Sequence, residues 1–299
     1  PSLTVAGKAT NPTAGARDFH TVAIIGGRTQ PVNGGEWISG HLDKTNAVVP
    51  GEELFPKGVT SKEVDHENAA EMADSQQEAI AVALRSLGQT VPQVVSIGAL
   101  TKDSAAKNIL LPGDVVVSID GKAVSTPDEV RAAVRTHKPG QSAAFAVKRG
   151  GQEKVLTVKT ADVGGHPVVG ILLRTSFDFP TKVSINAGDV GGPSAGMMFS
   201  LAVYDKLTPG PLTGGANIAG TGTISSAGAV GPIGGIRQKL VGAKRGGATW
   251  FLAPAENCNE VVGHVPEGLR VVKVATFTQA RDSVEAIAAK RAGSLPTCS

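Results

Sequence analysis

Sixteen of the 38 glycines fall between Gly188 and Gly247, a fifth of this 299-residue chain. Glycine weakens both helix and strand interiors, so a stretch this rich in it implies tight turns and close backbone approaches. Loops of that kind are where chemistry is most often carried. Two segments within it combine glycine with reactive side chains. In Gly188-Asp189-Val190-Gly191-Gly192-Pro193-Ser194-Ala195-Gly196, a loop follows the strand-like Lys182–Ile185 and opens an apolar helix expected from Ser194. A serine at a helix start faces unpaired backbone N–H groups and the positive end of the dipole. Two readings stay open at this point. Ser194 caps its helix, or it is a nucleophile whose loop, Gly192, Pro193 and Ala195, presents backbone donors to an oxyanion.

The second segment runs from Gly231 to Gly246. As a helix from Gly235, it places Ile236, Leu240 and Ala243 on one stripe, with Lys239 on that same stripe. Arg237, Gln238, Lys244 and Arg245 point outward. Lys239 either snorkels from the edge of the stripe or is buried. A buried lysine has a depressed pKa and can take a proton from a serine hydroxyl.

Upstream, Thr21–Ile25 and Asn46–Pro50 read as short strands, and Ser61–Leu87 has helical period. Ser75 and Glu78 look like a capping box that would split this helix in two. From Gln93 to Lys159 the order is strand, the turn Leu111-Pro112-Gly113-Asp114, strand, the hairpin signal Asp120-Gly121, a helix from Thr126-Pro127-Asp128-Glu129, and two strands.

Only 18% of residues are charged, and the net charge is +3, with basic residues single or paired as in Lys148-Arg149. That gives no electrostatic footprint for nucleic acid. No apolar run reaches the ~18–20 residues that span a bilayer. The histidines (His20, His41, His66, His137, His166, His264) lack ligand spacing and there is no C-x-x-C, so no metal is indicated. No phosphate-cradling Gly-x4-Gly-Lys-Ser/Thr occurs, and no cofactor is expected. Cys258 and Cys298 are either two free thiols or one disulfide holding the C-terminal tail.

The β-turn-β-α-β-β order of the middle segment resembles a bacterial PDZ domain, with Lys107–Leu111 near the place of the carboxylate-binding loop. The glycine-rich third resembles the proteolytic domain of Lon proteases. Gly192-Pro193-Ser194-Ala195-Gly196, Thr221-Gly222-Thr223-Ile224, Pro232-Ile233-Gly234-Gly235-Ile236-Arg237-Gln238-Lys239 and Trp250–Asn257 match that family's motifs in order, and Met72–Ala79 is similar to its preceding helix. The family has an aspartate where this chain has Gly191, and the nearest acid is Asp189.

The resemblance implies an α+β chain. A Lon-like fold over 1–90 and 163–299 would be interrupted by a PDZ-like domain at 91–162. Ser194 would be the nucleophile, Lys239 the general base and Thr221 the residue that orients it. The implied activity is ATP-independent, serine-type endopeptidase action on unfolded or flexible proteins, with peptide C-termini held at the PDZ-like domain. It further implies a homo-oligomer and, through an N-terminal membrane anchor, the extracytoplasmic side of a bacterial cell membrane. Two other functions keep their place. A non-catalytic PDZ/Lon-like scaffold is suggested by Gly191. An α/β-hydrolase-type esterase would use Gly192-x-Ser194-x-Gly196 with Asp205 and His264.

Overall fold

The computed structural model describes residues 2–6, 11, 17–19, 32–43, 46–51, 60–188 and 190–298. In chain order the first half holds β1 (Ser2–Val5), β2 (Arg17–Phe19), α1 (Gly34–Leu42), α2 (Ser61–Ser86), β3 (Gln93–Leu100), β4 (Val115–Ile119), β5 (Lys122–Ala123), α3 (Pro127–Arg135) and β6 (Ser142–Arg149). There follow β7 (Gln152–Lys159), β8 (Ala161–Val163), β9 (His166–Val168), β10 (Ile171–Phe177), β11 (Val183–Asn186) and α4 (Gly196–Leu207). The last part holds β12 (Ile218–Gly220), β13 (Thr223–Ile224), β14 (Val230–Gly231), α5 (Ile236–Arg245), β15 (Trp250–Pro254), α6 (Cys258–Val261), β16 (Arg270–Val274) and α7 (Phe277–Ala288). No helix among the described residues is long and apolar enough to cross a membrane.

The chain divides into two units, one of residues 1–90 with 181–299 and one of residues 91–180. In the first, β16, β15, β12 and β2 form a parallel sheet. Parallel strands need long crossovers, and here α5 lies between β12 and β15 in the chain and α6 between β15 and β16. Ile236, Leu240 and Ala243 of α5 enter a core with Phe251, Ala253, Val261 and Leu269. Separately, β1 pairs antiparallel with β11.

α2 starts with a reciprocal capping box between Thr60 and Glu63 and packs along α4, with Met72 and the run Ala79–Leu84 buried. It is one continuous helix, not two. The break expected at Ser75 does not occur because the Ser75 hydroxyl donates to the Pro193 carbonyl and caps nothing. Asn46–Pro50, expected as a strand, is exposed and irregular, with no ladder partner among the described residues. Thr21–Ile25, His20 and Asp189 lie outside the described residues.

The second unit is an antiparallel sheet in the order β10-β3-β4-β6-β7, with β5 hairpinned onto β4. It extends to Pro180, beyond the expected limit at 162, because β10 pairs with β3 along seven residues. Thr126 and Glu129 form the capping box of α3, whose Val130 and Val134 are buried with Ile97, Val116, Phe145 and Val158. The buried Asp114 carboxylate meets Arg149 through two hydrogen bonds of 2.7 Å each, and that pairing holds the carboxyl below its usual pKa. The segment Lys107–Leu111 is a turn that carries the fully buried Leu110.

Candidate active site

Local sequence places three side chains from three different elements together. α4 begins at Gly196, its N-cap is Ala195, and no side chain caps it. Ser194 is therefore freed from the capping role, and it sits in the loop just ahead of the helix. Thr221 follows β12 at its C-terminal end and is 1% exposed. Lys239 stands on the buried stripe of α5 with Ile236, Leu240 and Ala243, 5% exposed. The snorkelling alternative for Lys239 does not occur.

The Lys239 ammonium donates to Ser194 Oγ at 2.8 Å and to Thr221 Oγ1 at 3.0 Å. Thr221 in turn donates its hydroxyl proton to the Ser194 carbonyl at 3.0 Å, so its oxygen presents only an acceptor to the lysine. Burial lowers the Lys239 pKa from 10.5 to about 8. The arrangement brings an amine, a minority of it neutral at pH 7 and most of it above pH 8, within reach of a serine hydroxyl. That is what proton transfer from a serine requires.

The loop ahead of α5 is set by a residue that sequence reading matched to a motif without giving it a task. Buried Asn257 accepts from Ile233 N–H and donates to Ile233 O, each at 2.9 Å, and its amide also donates to Glu260. Cys258 beside it forms a disulfide with Cys298. The Ser194 loop is tied to α2 in the same way: Gly192 N–H donates to Asn68 O at 2.9 Å, and Ser75 Oγ donates to Pro193 O at 3.1 Å. Gly192 is thus already engaged, which corrects its place among the expected oxyanion donors. Pro193 has no N–H to give. Ala195 N–H has no acceptor among the described residues.

The esterase constellation does not assemble. His264 is exposed and bonds to Val262 O, while the Asp205 carboxylate accepts from Leu212 N–H. No group of three or more metal-ligating side chains gathers among the described residues.

Residues 179–289 match the family model of the Lon protease C-terminal proteolytic domain, and residues 67–160 match that of the PDZ domain. The chain carries a Lon-type proteolytic domain and a PDZ domain. Lon protease 2 of Bacillus subtilis is 30% identical over 140 residues, 45% of this chain and 25% of that protein. Lon protease of Clostridioides difficile is 43% identical over 79 residues, 26% of this chain and 10% of that one. The chain thus spans a quarter or less of these Lon proteases. Among solved structures, the PDZ domain of an SdrC-like protein from Listeria innocua aligns at 29% identity over 27% of this chain and 92% of that one, with a TM-score of 0.25. The Lon-type domain contains Ser194, Thr221 and Lys239. Its α+β architecture, together with the PDZ domain, is the fold class that the sequence suggests.

Proposed function

We propose that this chain is a serine endopeptidase in which Ser194 is the nucleophile and Lys239 the general base. The observation that carries this reading is the 2.8 Å contact between Ser194 Oγ and a buried lysine whose pKa is about 8. Neutral Lys239 donates one N–H to Thr221 and turns its lone pair to the Ser194 hydroxyl. As Oγ bonds to the substrate carbonyl carbon, Lys239 takes its proton and the carbonyl oxygen becomes an oxyanion. Collapse breaks the C–N bond, and Lys239 returns the proton to the leaving amine. Water repeats the sequence on the acyl-enzyme, releasing the acid and restoring Ser194.

The reaction needs no nucleotide in this reading, since every proton and bond it moves passes between Ser194, Lys239, the substrate and water. The substrates are unfolded or flexible proteins, whose backbone reaches the serine without local melting.

The PDZ domain holds peptide tails. β10 is an edge strand, and Thr101 N–H bonds to Gly170 O. By antiparallel alternation Ile171 N–H then faces the open edge. Ile171 and Leu173 pack against the core that Val130 and Val134 of α3 enter. A peptide added to this edge would gain main-chain hydrogen bonds and an apolar contact. The β10 edge suits a tail better than Lys107–Leu111, where Leu110 is buried in the core.

A ring of copies and an extracytoplasmic location belong to the same reading. The Cys258–Cys298 disulfide supports an oxidising compartment.

The test is labelling with a fluorophosphonate, mapped by mass spectrometry, alongside casein cleavage without ATP. Label confined to Ser194, with cleavage abolished in Ser194→Ala and Lys239→Ala, supports the proposal. A folded chain that takes no label and cleaves nothing favours the scaffold.

A further inference from the structure

A serine nucleophile gains most from donors aimed at the oxyanion in advance of reaction. The orientation of the Ser194 amide is set from α2. Ser75, 3% exposed, donates to Pro193 O at 3.1 Å, and Gly196 N–H meets the same oxygen at 3.2 Å. The peptide joining Pro193 to Ser194 is trans, so its N–H points opposite to its C=O. With the carbonyl drawn toward α2, Ser194 N–H is turned away from it, and this N–H has no acceptor among the described residues.

A helical serine has a nearer partner, the carbonyl one turn back, and Ser75 bonds instead across 118 residues of sequence. Alanine would suit the helix better. Room for the contact comes from Gly196, where a Cβ would lie 2.7 Å from Ser75 Oγ and from Ile224 Cγ2. The Gly192 N–H bond to Asn68 O fixes the loop on the other side of Pro193.

We propose that Ser75 is a positioning residue for the hydrolysis proposed above: by holding Pro193 O it aims the Ser194 N–H at the oxyanion. Ser75 makes no hydrogen bond to Lys239 or to Ser194 Oγ, so its effect is on transition-state binding and not on the proton transfer. The inference rests on the peptidase reading.

The experiment compares the parent with Ser75→Ala on a flexible fluorogenic peptide, with a peptide boronate as tetrahedral mimic. The expected result is a fall in kcat of roughly 10- to 100-fold, with KM within about twofold and the pH midpoint unmoved. Boronate affinity falls by the same factor as kcat/KM. Should Ser75→Ala fail to fold, Ser75→Cys carries the same comparison, since it keeps the side-chain size with a weaker donor. An active, Ser194-labelled parent whose Ser75 variant keeps kcat/KM within twofold, or loses only KM, overturns this inference alone. A parent that takes no label and cleaves nothing overturns both.

Discussion

Gly191 lies so close to Asn68 of α2 that a Cβ on the glycine would come within 2.8 Å of the Asn68 Cβ. The aspartate that the Lon resemblance places here has no room while α2 holds the Ser194 loop. The glycine is thus the packing partner of Asn68, and it gives no sign that the site has decayed. Gly191→Ala and Gly191→Asp should each displace the loop from α2, lowering kcat/KM about tenfold or more and stability by about 1–3 kcal/mol. Asn68→Gly should partly rescue Gly191→Ala. A double-mutant cycle with a coupling energy near zero would refute the contact.

With Lys239 as the proposed base, the pH dependence of hydrolysis follows from its amine. Its pKa of about 8 means that the neutral, proton-accepting form is the minority at pH 7 and predominates above pH 8. The rate should rise roughly tenfold per pH unit below the midpoint and level off above it, as for a single essential base. Steady-state kcat/KM between pH 6 and 10 measures this. A flat profile across pH 7–9 would remove Lys239 as the base.

Ser194 and Lys239 stand out locally, though local sequence leaves capping and snorkelling open, and Thr221 is named only through the Lon resemblance. The glycine loop and the helix stripe each appear within a few residues of sequence. Ser75 and Asn68 do not stand out, because their partners lie more than a hundred residues away and no periodicity encodes such a contact. The capping-box pattern at Ser75 was misleading for the same reason: the distant carbonyl of Pro193 outcompetes the local role. In the PDZ domain the turns and capping residues were readable, being short-range chemistry. The late addition of β10 to its sheet was not, since edge pairing with β3 is again a long-range contact.

Burying an amine has a stability consequence with a defined sign. Because the folded pKa of Lys239 is below its unfolded value, the unfolded chain binds more protons between about pH 8 and 10.5. Stability should therefore increase with pH across that window, and the penalty is fully present below it. Lys239→Met removes the penalty. It should stabilise the chain by about 1–3 kcal/mol at pH 7 while abolishing cleavage. The gain should shrink toward pH 10.5. Urea denaturation of both proteins at pH 7 and pH 10 measures it, and an equal difference at the two pH values would contradict the assignment.

The disulfide between Cys258 and Cys298 closes a loop with a sequence separation of 40 residues. Its C-terminal end is also held by Lys273 N–H bonding to Pro296 O, and Cys298 packs against the cluster that contains Ile236 and Leu240. Those two residues flank Lys239 on the buried stripe of α5, so the bridge supports the helix that carries the lysine. Loop-closure entropy for this length is worth about 4 kcal/mol. Cys298→Ser should therefore lower Tm by roughly 10 °C. At 25 °C the folded fraction keeps its Ser194–Lys239 contact, so the initial cleavage rate should stay within about twofold while thermal inactivation accelerates. Reducing agent should have the same effect on the parent and none on Cys298→Ser. A variant that melts with the parent would show that the bridge adds nothing to the fold.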